Sequence, residues 1–298
     1  MGTMFRIGID LGGTKTEVVL LGPDDAVLFR DRVPTPAKEG PQAILLAMTA
    51  LVSRARQCLP HPQAPHSIGL GTPGSLSPQT GLLRNSNTQC LNGFDLQGQV
   101  SLAMGQPVRV ENDANCFALA EARAGAGQGF RTVFGVILGT GCGGGLVLDG
   151  VLHIGRNRLA GEWGHVSVDP TGPRCWCGGV GCLEMLASGS GIEARYQAST
   201  GQSRPAHSIL ADPQDPHALA CRSSMLHALT TGLARLVTTL DPDVVVLGGG
   251  LSNLDWLPQA LSEGIAQQVF GGVCETPIRR HALGDSAGVL GAAWLSLA

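Results

Sequence analysis

One pattern occurs twice in this chain, and few folds accommodate it: an apolar strand, a glycine turn, and a second strand running straight back. Phe5–Ile9 leads through Gly12-Gly13 to Glu17–Leu21, and Thr132–Leu138 leads through Gly139–Gly145 to Leu146–Leu152. Short apolar runs bounded by turn residues read as strands. Ala26–Val33 extends the first pair to a three-strand meander beyond Gly22-Pro23-Asp24-Asp25. Helical periodicity follows. Pro41–Cys58 places Ile44, Leu45, Met48, Leu51 and Val52 on one face. Further strands are expected at Ser67–Gly71, Val108–Glu111 and Val244–Leu247. Helices are expected from about Ala114 to Gly125 and over His217–Leu240, Asp255–Val269 and Asp285–Leu297. Alternating strands and helices define an α/β class. The repeated opening predicts a duplicated α/β fold, and the absence of a Pro- or Ser-rich linker predicts two domains that share a cleft.

A length of 298 residues suits two domains, and 43% apolar residues supply a core. The net charge of −3 offers no basic surface for nucleic acid, and no apolar run reaches the length of a membrane span. The 43 glycines are unusual. They gather at the ends of apolar segments, where backbone turns sharply or approaches a ligand closely.

Asp10-Leu11-Gly12-Gly13-Thr14-Lys15 joins two strands. Glycines there let backbone N–H groups converge on an anion, Thr14 adds a hydroxyl and Lys15 a charge. Asp10 is placed to hold Mg²⁺, which takes few carboxylates beside phosphate oxygens. A plain hairpin turn would also use glycine, and the P-loop pattern is absent. Gly139-Thr140-Gly141-Cys142-Gly143-Gly144 matches G-x-G-x-x-G, but the dinucleotide fingerprint needs a following helix and Leu146-Val147-Leu148 reads as strand. A second phosphate turn is therefore expected. Gly248-Gly249-Gly250 ends a strand, and a surface without side chains there would admit an adenine ring.

His165, Cys175, Cys177 and Cys182 follow the spacing H-x9-C-x-C-x4-C, which suits a tetrahedral Cys₃His zinc site. The alternative is a disulfide or a set of buried thiols. Nine cysteines is an odd number, and Met1 to Lys15 carries no secretory signal. That predicts a reducing cytoplasm, where clustered cysteines are more often metal sites. Cys58, Cys90, Cys116, Cys142, Cys221 and Cys274 read as ordinary thiols. Glu162 and Glu184 flank the cluster, so the zinc loop is expected to carry acids that hold a polar ligand.

Asn112-Asp113 stands where a strand hands over to a helix, a position that lines clefts in α/β folds. Asp113 there would accept a proton from a substrate hydroxyl, or serve only as a helix N-cap. Asn85, Asn87 and Asn92 lie in a polar loop that turn chemistry alone would also explain.

These residues together resemble a known family. Ile-Asp-Leu-Gly-Gly-Thr-Lys (9–15), Gly-Thr-Pro-Gly (71–74), Asn-Asp-Ala-Asn (112–115), Gly-Thr-Gly-Cys-Gly-Gly-Gly (139–145), Gly-Glu-Trp-Gly-His (161–165), the cysteine cluster through Glu184, and Gly-Gly-Gly (248–250) resemble the ROK sugar kinases. The resemblance spans nearly the whole chain. It implies an actin-like, hexokinase-like ATPase fold with two α/β domains: a smaller one over 1–113 with 285–298, and a larger one over 114–284 carrying the zinc loop. It implies hexose and ATP as small-molecule partners, Mg²⁺ and structural Zn²⁺, and a homo-oligomer, expected as a dimer. By motif, Asp113 is the general base. Gly74, Asn85, Asn112, Glu162, His165 and Glu184 are sugar ligands. Asp10, Gly12, Gly13, Thr14, Lys15, Thr140, Gly141, Gly249 and Gly250 serve the nucleotide and its metal.

Within the family, Leu91-Asn92-Gly93, His153-Ile154-Gly155, Phe270–Pro277 and Gly284-Asp285-Ser286 resemble bacterial fructokinases, so fructose is expected to become fructose 6-phosphate. Mannose, glucose and N-acetylglucosamine are the alternatives. A sugar-sensing repressor is the rival from another class. Such proteins add an N-terminal winged-helix domain, and a first strand near residue 5 is expected to leave no room for one.

Overall fold

The structure is a computed structural model and describes residues 4–297. The described residues form two compact units. One takes the chain up to Ala120, then Ile154–Leu159, then the chain from Asp285. The other takes Glu121–His153 and Ala160–Gly284. The division thus falls inside a helix, after residue 120, where the motifs suggested 113.

The first unit is built on β1 (Phe5–Leu11), β2 (Lys15–Leu21), β3 (Val27–Pro34) and α1 (Pro41–Gln57). Next come β4 (His66–Thr72), the short hairpin strands β5 (Ser75–Leu76) and β6 (Leu83–Arg84), α2 (Leu96–Met104) and β7 (Val108–Asn112). Its sheet runs β3-β2-β1-β4-β7. The β1–β2–β3 pairings are antiparallel, and β4 and β7 add in parallel. Side chains alternate between faces of a strand. Ile7, Ile9 and Leu11 therefore join Ile68, Leu70, Val108 and Val110 in one core, closed by Ile44, Met48 and Leu51 of α1 and by Leu96 and Val100 of α2. The opposite parity, Gly8 and Asp10 on β1 and Gly69 on β4, faces the last helix. That helix comes so close that a β-carbon on Gly69 would lie 1.9 Å from the carbonyl of Ala292. Asp10 lies on this second face.

The second unit repeats the plan. After α3 (Asp113–Ala124), which begins directly at the end of β7, come β8 (Thr132–Leu138), β9 (Cys142–Leu148) and β10 (Val151–Leu152). Then come α4 (Leu183–Ala187), α5 (Gly189–Thr200), α6 (Ala206–Leu210), α7 (Pro216–Leu240), β11 (Val244–Gly248), α8 (Leu257–Ala266) and β12 (Ile278–Arg280). The chain closes with α9 (Ala287–Trp294), which belongs to the first unit. The sheet order β10-β9-β8-β11-β12 matches that of the first unit strand for strand. The duplication expected from the two strand–turn–strand openings is present as topology. Phe134, Val136 and Leu138 pack with Leu183, Leu229, Leu233 and Leu261 in a core covered by helices. Asp215 starts α7 by accepting N–H groups of His217 and Ala218, with Pro216 at the first turn.

Three element boundaries differ from expectation. The glycine turn at 139–145 is confined to Gly139–Gly141. Gly143, Gly144 and Gly145 instead lie in β9, opposite Ile137, Val136 and Gly135. At Gly144 the reason is tertiary: a β-carbon there would lie 2.7 Å from the Trp163 ring, so the strand lacks a side chain at that position to admit the indole. The expected strand Leu146–Leu152 is split by a turn at Asp149, whose φ of 50° is left-handed. The last helix begins at Ala287, after a 3-10 turn over Gly284–Ser286.

Candidate functional site

In the first unit the chain reverses within Gly12–Thr14, where Gly12 N–H donates to Lys15 O at 2.9 Å. Gly13 has no positive φ, and a β-carbon there would meet nothing closer than Thr88 Oγ1 at 3.6 Å and Asn87 Oδ1 at 3.9 Å. The fold does not explain this glycine. Asp10 stands directly opposite Glu17 on β2 and Gly71 on β4. Its carboxyl is pushed up to about 7, first by burial, then by the neighbouring charges of Asp113 and Glu17. An acid crowded in this way is a receptor for a cation.

This has a consequence for the free protein. The folded state holds the Asp10 proton up to about pH 7, whereas an unfolded chain releases it near the ordinary 3.8. Between those values the unfolded state binds fewer protons, so stability falls as pH rises. Asp10→Asn is expected to remove that contribution. It should raise the Tm of ligand-free protein at pH 8, by a margin that shrinks towards pH 4. A Tm difference independent of pH would contradict the burial of this acid.

Asn112 and Asp113 sit at the β7–α3 junction. Asn112 Nδ2 donates to Gly74 O at 3.0 Å, and the side-chain oxygens of Asn112 and Asp113 each accept from Ala114 N–H at 2.8 Å. Both therefore start the helix, and Asp113 also lies close enough to Asp10 to raise its carboxyl. Gly74 has φ 89° and is packed against Arg84 O and Ser86 N. Asn85 follows β6 with φ 59°. Asn92 is a turn residue: its amide brackets Ser86, accepting from N–H and donating to C=O, both at 2.9 Å. Cys116 lies in the core beneath, its thiol pushed up by burial and then by Asp10, Glu111 and Asp113.

In the second unit Gly139, Thr140 and Gly141 form a turn backed by the start of α5. Gly189 N–H donates to Gly139 O at 2.8 Å, and Ser190 Oγ donates to Thr140 O at 2.8 Å. Glu184, in α4, accepts Cys142 N–H at 2.6 Å and lies against Gly141. The acid expected to hold sugar is thus also bonded to the end of the phosphate turn. Gly139 and Gly250 resemble Gly13: neither has a positive φ, and a β-carbon would find at most Ile137 Cγ2 at 3.9 Å beside Gly139 and nothing beside Gly250. Gly249 differs. Its φ is 80° and a β-carbon would lie 2.4 Å from Leu138 O, so that glycine is explained by the fold alone.

His165, Cys175, Cys177 and Cys182 converge, with one ligand atom from each lying within 4.8 Å of all the others. Cys177 Sγ is 3.6 Å from Cys182 Sγ, and Cys175 Sγ is 3.7 Å from His165 Nδ1. A tetrahedral ion with sulfur at ~2.3 Å sets thiolates about 3.8 Å apart, so the donor set and spacing fit Zn²⁺. All nine cysteines are unpaired. Burial, then Cys177, then Cys175, push the Cys182 thiol up to about 12, a cost that a bound cation reverses. Two single bridges, Ser167–Cys182 and Arg174–Val180, shape the loop. Trp176 stands edge-on to the His165 ring at 4.6 Å. Glu162 opens the 3-10 turn Trp163–His165, and Trp163 is buried with its indole N–H on Gly143 O.

Sequence reasoning missed Glu17, which joins Asp10 and Asp113 as a third acid, Ser190 behind the second turn, and the pair of Glu111 with Arg158 at the end of β7. A hairpin register drawn through Gly12-Gly13 pairs Asp10 with Glu17 and would have found the first.

The ROK family model matches residues 6–298. The chain belongs to the ROK family. The N-acetyl-D-glucosamine kinase of Haemophilus influenzae is 36% identical over 97% of this chain and 98% of its own length. That of Yersinia enterocolitica is 37% identical over 97% and 98%. Among solved structures, the ROK hexokinase of Thermus thermophilus superposes with a TM-score of 0.88 at 36% identity, covering 98% of this chain and 97% of that one. A ROK glucokinase from Streptomyces griseus, solved with glucose and AMPPNP, gives 0.78 at 30% identity, covering 98% of each chain. The α/β architecture is that of these hexokinase-like, ATPase-fold proteins. A ROK transcriptional regulator, 24% identical with a TM-score of 0.81, shares the fold alone. Fold therefore leaves function to the site. No helix among the described residues is long and apolar enough to cross a membrane.

Proposed function

We propose that this chain transfers the γ-phosphoryl group of ATP to a hydroxyl of a hexose or N-acetylhexosamine. One observation carries the reading: Asp10 and Asp113 are neighbouring acids in a unit whose glycine turn keeps a residue, Gly13, that the fold does not need. Backbone approach to phosphate explains that glycine.

Asp113 accepts the proton of the attacking hydroxyl as the new O–P bond forms and the bond from the γ-phosphorus to the bridging oxygen breaks, releasing ADP. Asn112 and Gly74, tied by the 3.0 Å hydrogen bond, and Asn85, Glu162, His165 and Glu184 orient sugar hydroxyls. His165 turns Nδ1 to Cys175, which leaves Nε2 as its ligand-facing nitrogen. Asp10 would hold Mg²⁺, which when bound offsets phosphate charge. Gly12, Gly13, Thr14, Lys15, Thr140, Gly141, Gly249 and Gly250 serve the nucleotide. Zn²⁺ held by His165, Cys175, Cys177 and Cys182 would brace the loop bearing Glu162 and Glu184.

N-acetylglucosamine is the first candidate substrate, supported by the names of the two kinases compared above. Fructose, suggested by the flanking segments, comes second and finds no support in those names. A cytoplasmic homodimer is part of the proposal, supported by the family resemblance and by nine unpaired cysteines. ADP release should be measured with Mg-ATP and a panel of hexoses. We expect N-acetylglucosamine to lead in kcat/KM by about tenfold or more, a margin a few contacts supply. Fructose leading by that margin would reassign the substrate, and no turnover with any sugar would end the kinase reading.

Gly13→Ala tests the phosphate turn. A β-carbon fits the fold there, so Tm should hold while KM for ATP rises about tenfold from lost backbone approach. Unchanged ATP kinetics would place the phosphates elsewhere. Gly141→Val is the weaker probe, because its side chain would also press on the Glu184 carboxylate at 3.3 Å.

A further inference from the structure

We propose that Arg158 is a positioning residue for the chemical step, fixing through Glu111 the junction of β7 and α3 that carries Asp113. Arg158 belongs to none of the recognised motifs. It lies on Ile154–Leu159, a segment that packs with the first unit although the chain on either side belongs to the second. Its guanidinium pairs with Glu111 and also donates to Val110 O at 3.4 Å. Both partners are in β7, one and two residues from the Asn112–Asp113 pair. The Glu111 side chain is only 14% exposed, and that of Arg158 26%. A carboxylate this buried needs its partner in place.

Glu111 reaches the other side of the junction as well. Its second oxygen accepts from Asn115 Nδ2, in the first turn of α3, at 3.3 Å. Asn115 Oδ1 is buried with no partner, so the bond to Glu111 is what orients that amide. The contact runs from residue 111 to residue 115 and brackets Asp113. Arg158 thus grips a carboxylate that bridges the end of the strand and the start of the helix. The backbone supports the same view. Arg158 has φ 54°, a left-handed conformation that a side chain disfavours and that persists only where surrounding contacts impose it. Both contacts come from one nitrogen, Nη2, which lies a bond farther from the backbone than a lysine ammonium would.

The simpler view is that Arg158 only neutralises a buried acid. The two views separate experimentally. The inference rests on Asp113 as the base, so Asp113→Asn is run in the same assay. Arg158→Met is expected to lower kcat about tenfold with KM for ATP within about twofold, since a misaligned base affects the transition state. Arg158→Lys keeps the charge but shortens the reach, and is expected to recover only part of kcat. The charge-free pair Glu111→Gln/Arg158→Met should regain Tm, because no unpaired charge is left buried, yet stay low in kcat. Recovery of kcat together with Tm in that pair overturns the inference, as does a kcat within twofold of wild type in Arg158→Met. Should Arg158→Met fail to fold, full kcat in Arg158→Lys overturns it. Normal kcat in Asp113→Asn would remove the reading of the base itself. A lowered kcat there, with Arg158→Met unaffected, would remove only the role of Arg158.

Discussion

Asp113→Asn is expected to lower kcat by about 10²–10⁴-fold, the usual contribution of a positioned base. The substitution keeps the shape of the side chain and an oxygen that accepts Ala114 N–H, a bond of 2.8 Å. The start of α3 should therefore survive, with Asn112 Oδ1 holding the same amide at 2.8 Å. Sugar affinity, measured by calorimetry, should stay within about tenfold because an acceptor remains. Asp10 supplies an internal check. Asp113 is one of the charges that raise its carboxyl, so neutralising Asp113 should bring the apparent pKa of Asp10 down. Near-normal kcat in Asp113→Asn would reduce Asp113 to a helix cap and send the search for the base elsewhere.

The second large effect concerns the metal. Cys177→Ser should lower zinc content and thermal stability together, because a structural zinc site contributes to folding directly. Cys177 is exposed and Cys182 is buried, so substitution at 177 removes a ligand without opening a core cavity. Any loss of Tm is then attributable to the ion. Chelation of the wild-type protein should reproduce the loss, and added zinc should reverse it. The expected loss is several degrees or more in Tm, since about 1 kcal/mol moves Tm by roughly 1–2 °C in a protein of this size and a structural zinc supplies several times that. A purified, fully active protein with no zinc by elemental analysis would remove the site from the account.

Local chemistry was legible in the sequence to the extent that it is local. β1, β2 and the helix from Pro41 follow from apolar periodicity and turn residues, and they occur where that pattern puts them. The His165–Cys182 cluster converges as its spacing suggested, because short glycine-rich links leave few other ways to close. Gly144 misled because a glycine that signals a turn is indistinguishable, in sequence, from one that yields space to a distant ring. Only the packing of Trp163 separates the two. The same limit hid Arg158. Its partner lies 47 residues earlier, and nothing in either local pattern announces an ion pair. Burial was also silent: Asp10 reads as a polar residue at a strand end, whereas its charge state is decided first by its burial and then by Asp113 and Glu17.

The return of the chain to the first unit through α9 bears on how the molecule is made. Ribosomes deliver residues in order, and domains commonly fold as they emerge. Here the sheet of β1, β2 and β4 is released early, but the helix that touches it closely enough to exclude a β-carbon at Gly69 lies at Ala287–Trp294. Every residue of the second unit is synthesised before that helix. At about 5–20 residues per second, one face of the nascent sheet waits on the order of ten seconds for its cover. The half that is translated first is completed last, and a stalled or truncated chain leaves the ribosome with that face bare.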